Sequence, residues 1–227
     1  MKSKTIIKTI SLLGIFLIVG LILYTILNDN VTNDEKHFKT EYESLNGKKN
    51  KNNKMYVTVK VEKDNNIKYA DFDKAIDFLN TGTGILYLGF PECPWCRNIV
   101  SPLIDVAKAE EIEDIYYFNA LSIRDEKKLE NGKIKTIKKG TKEYYKLVNK
   151  LKDHLPSYEG LEDESIKRIY FPTVVFVQSG KIVGTHTGTV DSQTDPYKTL
   201  SKKQTKELKK IYKSNINKIY GTCDESC

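Results

Sequence analysis

Apolar and polar positions divide the chain into two unequal parts. From Thr9 to Leu27 run 19 residues without a charge, nearly all Ile, Leu, Val, Phe or Gly. As a helix rising about 1.5 Å per residue they would extend about 28 Å, close to the hydrocarbon thickness of a bilayer. From Met55 onward the pattern is that of a globular domain. MYVTVKV (55–61) alternates and predicts a strand. YADFDKAIDFLNTG (69–82) sets Phe72, Ala75, Ile76 and Leu79 on one helical face, with Gly82 to close it. GILYLGF (84–90) has no polar face, as expected of a strand buried on both sides. Ile99, Leu103, Val106 and Ala107 recur at helical spacing, and Pro102 within that span predicts a kink. IYYFNAL (115–121) reads as a strand, and FPTVVFVQSGKIVGTHTG (171–188) as two strands joined at Ser-Gly. Residues 200–220 form an amphipathic helix. Between strand and hairpin, TKEYYKLVNKLKDHL (141–155) predicts a further helix with Tyr144, Tyr145, Leu147, Val148 and Leu151 on its apolar face. This order predicts an α/β fold with a mixed sheet.

Charge gives the first segment a direction. Lys2, Lys4 and Lys8 precede the apolar run, whereas Asp29, Asp34 and Glu35 follow it. The positive-inside rule puts residues 1–8 in the cytoplasm, makes 9–27 a single-pass cell-membrane anchor, and leaves the rest outside the cytoplasm. A cleaved signal peptide is the competing reading, but its apolar region is shorter and ends in small residues, whereas Asn-Asp-Asn-Val-Thr follows here. Residues 28–54, including NGKKNKNNK at 46–54, read as a polar linker. The net charge of +7 raises nucleic acid as a partner. The lysines are interleaved with acids and no nucleic-acid motif is present, so no nucleic-acid partner is expected.

Against this background GFPECPWCRN (89–98) carries the candidate chemistry. A buried strand ends at Phe90, and Cys93 and Cys96 lie where the chain turns into a helix. The free N–H groups and positive dipole end of a helix N-terminus favour a thiolate. Pro94 suits the first turn. Cys93 is therefore expected to be the exposed thiol of low pKa, and Cys96, one turn deeper, to resolve mixed disulfides. A zinc site needs a second ligand pair, and a static disulfide over two residues constrains the unfolded chain little. A redox pair is the favoured reading. His37, His154 and His186 are far apart and near no nucleophile, and TGTG (81–84) lacks the lysine and spacing of a phosphate loop.

With ILYLGF, Cys93-Pro94-Trp95-Cys96 and Phe171-Pro172-Thr173 in this order, residues 55–220 resemble the thioredoxin superfamily. Residues 122–164 form an insertion, read as helical. The anchor and the GFPECPWCRN and YFPTVVF blocks look like the membrane-anchored bacteriocin transport accessory type of Gram-positive bacteria. The resemblance implies a thioredoxin fold, catalytic Cys93 and Cys96, and a cis Pro172 lying against them with Pro94 and Trp95 as support. It also implies that Phe171 and Thr173 meet a substrate peptide as an added strand, and that no cofactor or metal is needed. Two features depart from the family. Tyr87 stands where thioredoxin has a buried aspartate and is a poor base at neutral pH. Glu92 is the nearest carboxylate, expected to be exposed. The intervening Pro-Trp is nearest the Pro-Tyr of glutaredoxins, whose potentials lie between strong reductants and strong oxidants, so the direction of electron flow stays open.

The expected function is an extracytoplasmic thiol–disulfide oxidoreductase acting on cysteine-containing proteins or peptides, coupled to a redox partner protein. The alternative is an accessory module that binds a peptide exporter, its disulfide non-catalytic. Residues 221–227 end the chain in a tail carrying Cys223 and Cys227. These pair as a redox relay to Cys93 or as an inert clasp; an intermolecular disulfide or a zinc site shared with the dithiol are further readings.

Overall fold

In the computed structural model, which describes residues 33–221, the chain follows the order α1 (Asn33–Glu43), β1 (Ile67–Tyr69), α2 (Phe72–Thr81), β2 (Gly84–Leu88), α3 (Pro94–Ala109), β3 (Ile115–Phe118), β4 (Glu126–Glu130), β5 (Lys133–Lys138), α4 (Lys142–Leu151), β6 (Thr173–Gln178), β7 (Lys181–Thr187) and α5 (Lys202–Tyr220). Five strands form a mixed sheet in the order β1-β3-β2-β6-β7. β1, β3 and β2 are parallel, and β6 and β7 turn antiparallel. β2 is buried along its whole length, as its apolar run predicts. On the face bearing Tyr87 and Tyr117 lie Phe38 and Tyr42 of α1 and Tyr212 of α5, the last against Phe176. On the other face Phe78 of α2 packs on Tyr116.

Local chemistry sets the helix ends. Asp71, Thr141 and Ser201 cap α2, α4 and α5 by accepting from Lys74, Tyr144 and Gln204 N–H, and Gln204 completes a capping box at Ser201. The predicted hairpin turns through Ser179 and Gly180, both at positive φ, which suits the twist of the flanking strands. α3 runs through Pro102 as one helix.

Three expectations are corrected. Residues 55–61 are not a sheet strand, although Val57, Val59 and Val61 are buried as the alternation predicts. Their backbone is held by side chains instead. Asn46 bonds both N–H and C=O of Val59, Glu43 accepts from the Val61 N–H, and Lys39 donates to the Val61 carbonyl. Secondly, part of the stretch read as a linker belongs to the domain, because α1 puts Phe38 and Tyr42, both wholly buried, into the core. Thirdly, the insertion is not only helical: β4 and β5 pair as a separate antiparallel hairpin ahead of α4. Among the described residues no helix is long and apolar enough to cross a membrane. The run at 9–27 and the tail cysteines Cys223 and Cys227 lie outside the described residues.

Candidate active site

β2 delivers the chain to Phe90, and three residues later Cys93 caps α3 from an extended conformation (φ −72°, ψ 118°), with Pro94 opening the helix. The Cys93 sulfur accepts from the Cys96 N–H at 3.2 Å. Both thiols are free. Cys96 is wholly buried, as expected one turn deeper, but Cys93 is only 5 % exposed, which corrects the expectation of an open thiol. The cause is the loop before β6. The Phe171-Pro172 peptide is cis, and the Cys93 thiol donates to the Phe171 carbonyl at 3.5 Å. The register of β2 on β6, with Leu88 opposite Thr173, brings this loop to the dithiol.

Thr173 is tied into the proline loop. Its side chain is buried, donates to the Tyr170 carbonyl at 2.8 Å and pairs with the Thr187 hydroxyl at 2.9 Å. These bonds fix the loop that carries Pro172. The Gly188 N–H, at φ +81°, ties that loop to β7 through the Pro172 carbonyl. Phe171 stacks edge-on against Phe90. Half-buried Trp95, with Phe171, Tyr170, Gly188 and Val190, lines a hollow of about 550 Å³ rimmed by Glu159 and Asp191.

The two thiols are driven apart electrostatically. Burial alone would raise the Cys93 pKa, but the Cys96 thiol, the N–H groups of Cys96 and Trp95 and the charge of Arg124 outweigh it, so Cys93 ionises below the ordinary thiol range. Burial and the neighbouring Cys93 sulfur push Cys96 well above that range. Glu92 is exposed, as expected.

Arg124 was not legible as a site residue. It lies in the insertion, with its guanidinium 4.9 Å from the Phe171 ring centroid and bonded to the Ile169 carbonyl at 3.5 Å. Arg97 directly follows Cys96 and is buried without a carboxylate partner in its hydrogen bonds. It donates to the carbonyls of Val57, Tyr42 and Pro91 and to Asn46 Oδ1, at 2.6–3.2 Å. The hydroxyls of Tyr87 and Tyr42, near enough to Cys96 for its charge to act on both, are 2.7 Å apart and wholly buried. The one signal for these residues was scarcity. Of 37 basic residues only Arg97, Arg124 and Arg168 are arginine, and all three are wholly or partly buried. The histidines are not brought together: His37 stacks on Tyr69, and His186 Nε2 meets the Thr189 carbonyl at 2.7 Å. Among the described residues no cluster of His, Cys, Asp or Glu is placed to hold a metal ion.

No protein-family model matches the chain, nor does any curated protein or solved structure.

Proposed function

We propose that the protein is a thioredoxin-like thiol–disulfide oxidoreductase, held outside the cytoplasm by the apolar segment at 9–27. The observation that carries this reading is the pairing of a helix-capping thiol of lowered pKa, Cys93, with a buried thiol of raised pKa, Cys96, beneath a cis-proline loop. Such a difference is what a dithiol relay needs. The parallel β1-β3-β2 unit followed by an antiparallel hairpin supports the thioredoxin likeness. The Cys93 thiolate attacks one sulfur of a substrate disulfide, forming a mixed disulfide and releasing one thiolate. Cys96 then attacks the Cys93 sulfur, the second thiolate leaves, and two electrons have passed from protein to substrate. Run backwards with an oxidised protein, the same steps oxidise a substrate dithiol. A redox partner restores the starting state.

Replacing Cys96 by Ser should accumulate mixed disulfides through Cys93, because attack survives and resolution does not. Replacing Cys93 by Ser should abolish turnover of a peptide disulfide. Equal turnover by the wild type and the Cys93→Ser protein would leave a binding module with an incidental cysteine pair.

A further inference from the structure

The segment between β7 and α5 buries a side chain whose hydrogen bonds are only half made. Gln193 is 8 % exposed, and its Nε2 donates to the Lys198 carbonyl at 2.9 Å and to the Asp195 carbonyl at 3.5 Å. Two carbonyls fix which end of the amide carries the nitrogen, and Oε1 at the other end is buried without a partner. Among the described residues the other buried side-chain atoms in that state are Asp125 Oδ1, Arg168 Nε and the Tyr117 and Tyr212 hydroxyls. Gln193 alone of these five residues lines the hollow beside Trp95. A buried acceptor needs a donor, and an occupant of the hollow would bring one. The surroundings call for a positive one. Glu159 of the insertion and Asp191 stand exposed on the rim, and among the described residues neither forms an ion pair with a lysine or arginine. Arg168 and Arg124 stack on Tyr170 and Phe171, at 5.4 and 4.9 Å, but neither arginine lines the hollow. No cation stacks on Trp95 among the described residues. Exposed Glu92, next to Cys93, does not line the hollow either.

Resting on the oxidoreductase reading, we propose that this hollow is a subsite for a cationic side chain of the substrate, arginine ahead of lysine, near in sequence to the cysteine that reacts with Cys93. Two of its walls belong to the dithiol site. Trp95 stands between the two cysteines, and the Phe171 carbonyl receives the Cys93 thiol. A guanidinium is planar and carries five N–H donors in a fixed fork. It lies on the Trp95 ring, gives one N–H to Gln193 Oε1 and turns the others to the rim carboxylates. The buried acceptor is then met and the charge is balanced. A lysine ammonium brings the same charge without the fork. Glu159, Asp191 and Gln193 thus set which peptide is held, while the exchange of sulfurs stays with Cys93 and Cys96.

Trp95 is the single tryptophan of the chain, so its fluorescence reports on the hollow. The full-length protein is titrated with short peptides in which serine replaces the reactive cysteine. One neighbouring position, on either side in turn, holds arginine, citrulline, lysine or glutamate. Citrulline keeps the shape of arginine and loses its charge. The best arginine peptide should bind about tenfold more tightly than its citrulline twin, the scale of a hydrogen bond to a charged group. Lysine should fall between them and glutamate should bind most weakly. In a Glu159→Gln/Asp191→Asn protein the arginine and citrulline affinities should converge. Gln193→Met should weaken the arginine peptide as well; should that protein fold poorly, the exposed rim pair decides alone. Equal affinity for arginine and citrulline in the wild type, or an arginine preference that survives in the rim variant, overturns the inference. The premise has its own readout. With cysteine restored and carried as its mixed disulfide with 2-nitro-5-thiobenzoate, Cys93 attacks the peptide sulfur and the coloured thiolate leaves with the electron pair. A wild type that prefers arginine in binding but releases no thiolate through Cys93 overturns the oxidoreductase reading and leaves the subsite standing.

Discussion

The Arg124 guanidinium stacks 4.9 Å from the centroid of the Phe171 ring, so a charge from the insertion sits over the residue whose carbonyl receives the Cys93 thiol. A cation at this place favours the thiolate, and Arg124 is among the groups that lower the Cys93 pKa. In an Arg124→Gln protein the pH profile of Cys93 alkylation by iodoacetamide should move to higher pH, with the rate near pH 6.5 falling about threefold, the modest scale of a partly solvated charge. An unmoved profile would make Arg124 a packing residue only.

Opposite shifts at the two thiols predict which is modified. Cys93 is lowered and Cys96 raised, and only a thiolate reacts. Brief alkylation of the reduced, folded protein near neutral pH should label Cys93 alone by peptide mass spectrometry, with Cys96 joining it on unfolding. Label on Cys96 in the folded protein would reverse the assigned roles.

Arg97 binds carbonyls of three separate segments to the start of α3. Arg97→Met would leave those acceptors buried without a donor, at a cost of about 2–4 kcal/mol in urea unfolding. Limited proteolysis should cut first between residues 44 and 61. Lysine should recover only part of the loss, because it lacks the planar fork.

Gly89→Ala should destabilise by about 1–3 kcal/mol, because the new Cβ would meet the Tyr87 ring at 2.3–2.6 Å and that ring is buried. Restored stability in the Gly89→Ala/Tyr87→Leu pair would trace the loss to that collision.

His186 predicts an acid effect of definite sign. Burial lowers its pKa from the ordinary value. As pH falls through about 6.5 the unfolded chain takes up a proton that the folded His186 refuses, so stability is lost down to the depressed folded value. The fall in Tm between pH 7.5 and 5.5 should be smaller in a His186→Gln protein, in which carboxylate contributions are unchanged. Equal falls would remove His186 as a source of acid sensitivity.

Where the sequence was legible, period and punctuation agreed. β2, α3 and the β6–β7 hairpin follow from apolar runs, a helix-opening proline and a Ser-Gly turn, and the cis bond at Pro172 follows from the family resemblance. α1 was missed because Phe38 and Tyr42 are its two large apolar residues in an otherwise polar segment, and tertiary packing outweighs that weak pattern. The β4–β5 hairpin had a signal: Asn131-Gly132, both at positive φ, stand between alternating segments. The apolar face of the following helix drew attention from it. Val57, Val59 and Val61 were read as a strand because alternation records which side is buried, not what bonds the backbone. Side chains of Asn46, Glu43 and Lys39 take that place, and their pairing spans up to 22 residues. Tyr87 was read as a substitution for a carboxylate, but the partner of its hydroxyl is Tyr42, 45 residues earlier.

That distant partner changes where the chain can be cut. A shortened protein beginning at residue 55 would look like the complete domain shorn of a tether. It would in fact arrive without Phe38, Tyr42, Asn46 and the groups that hold Val59 and Val61, opening the back wall of the dithiol to water. Release of an intact folded domain from its N-terminal segment, by a protease in the cell or by recombinant truncation, therefore has to occur ahead of α1.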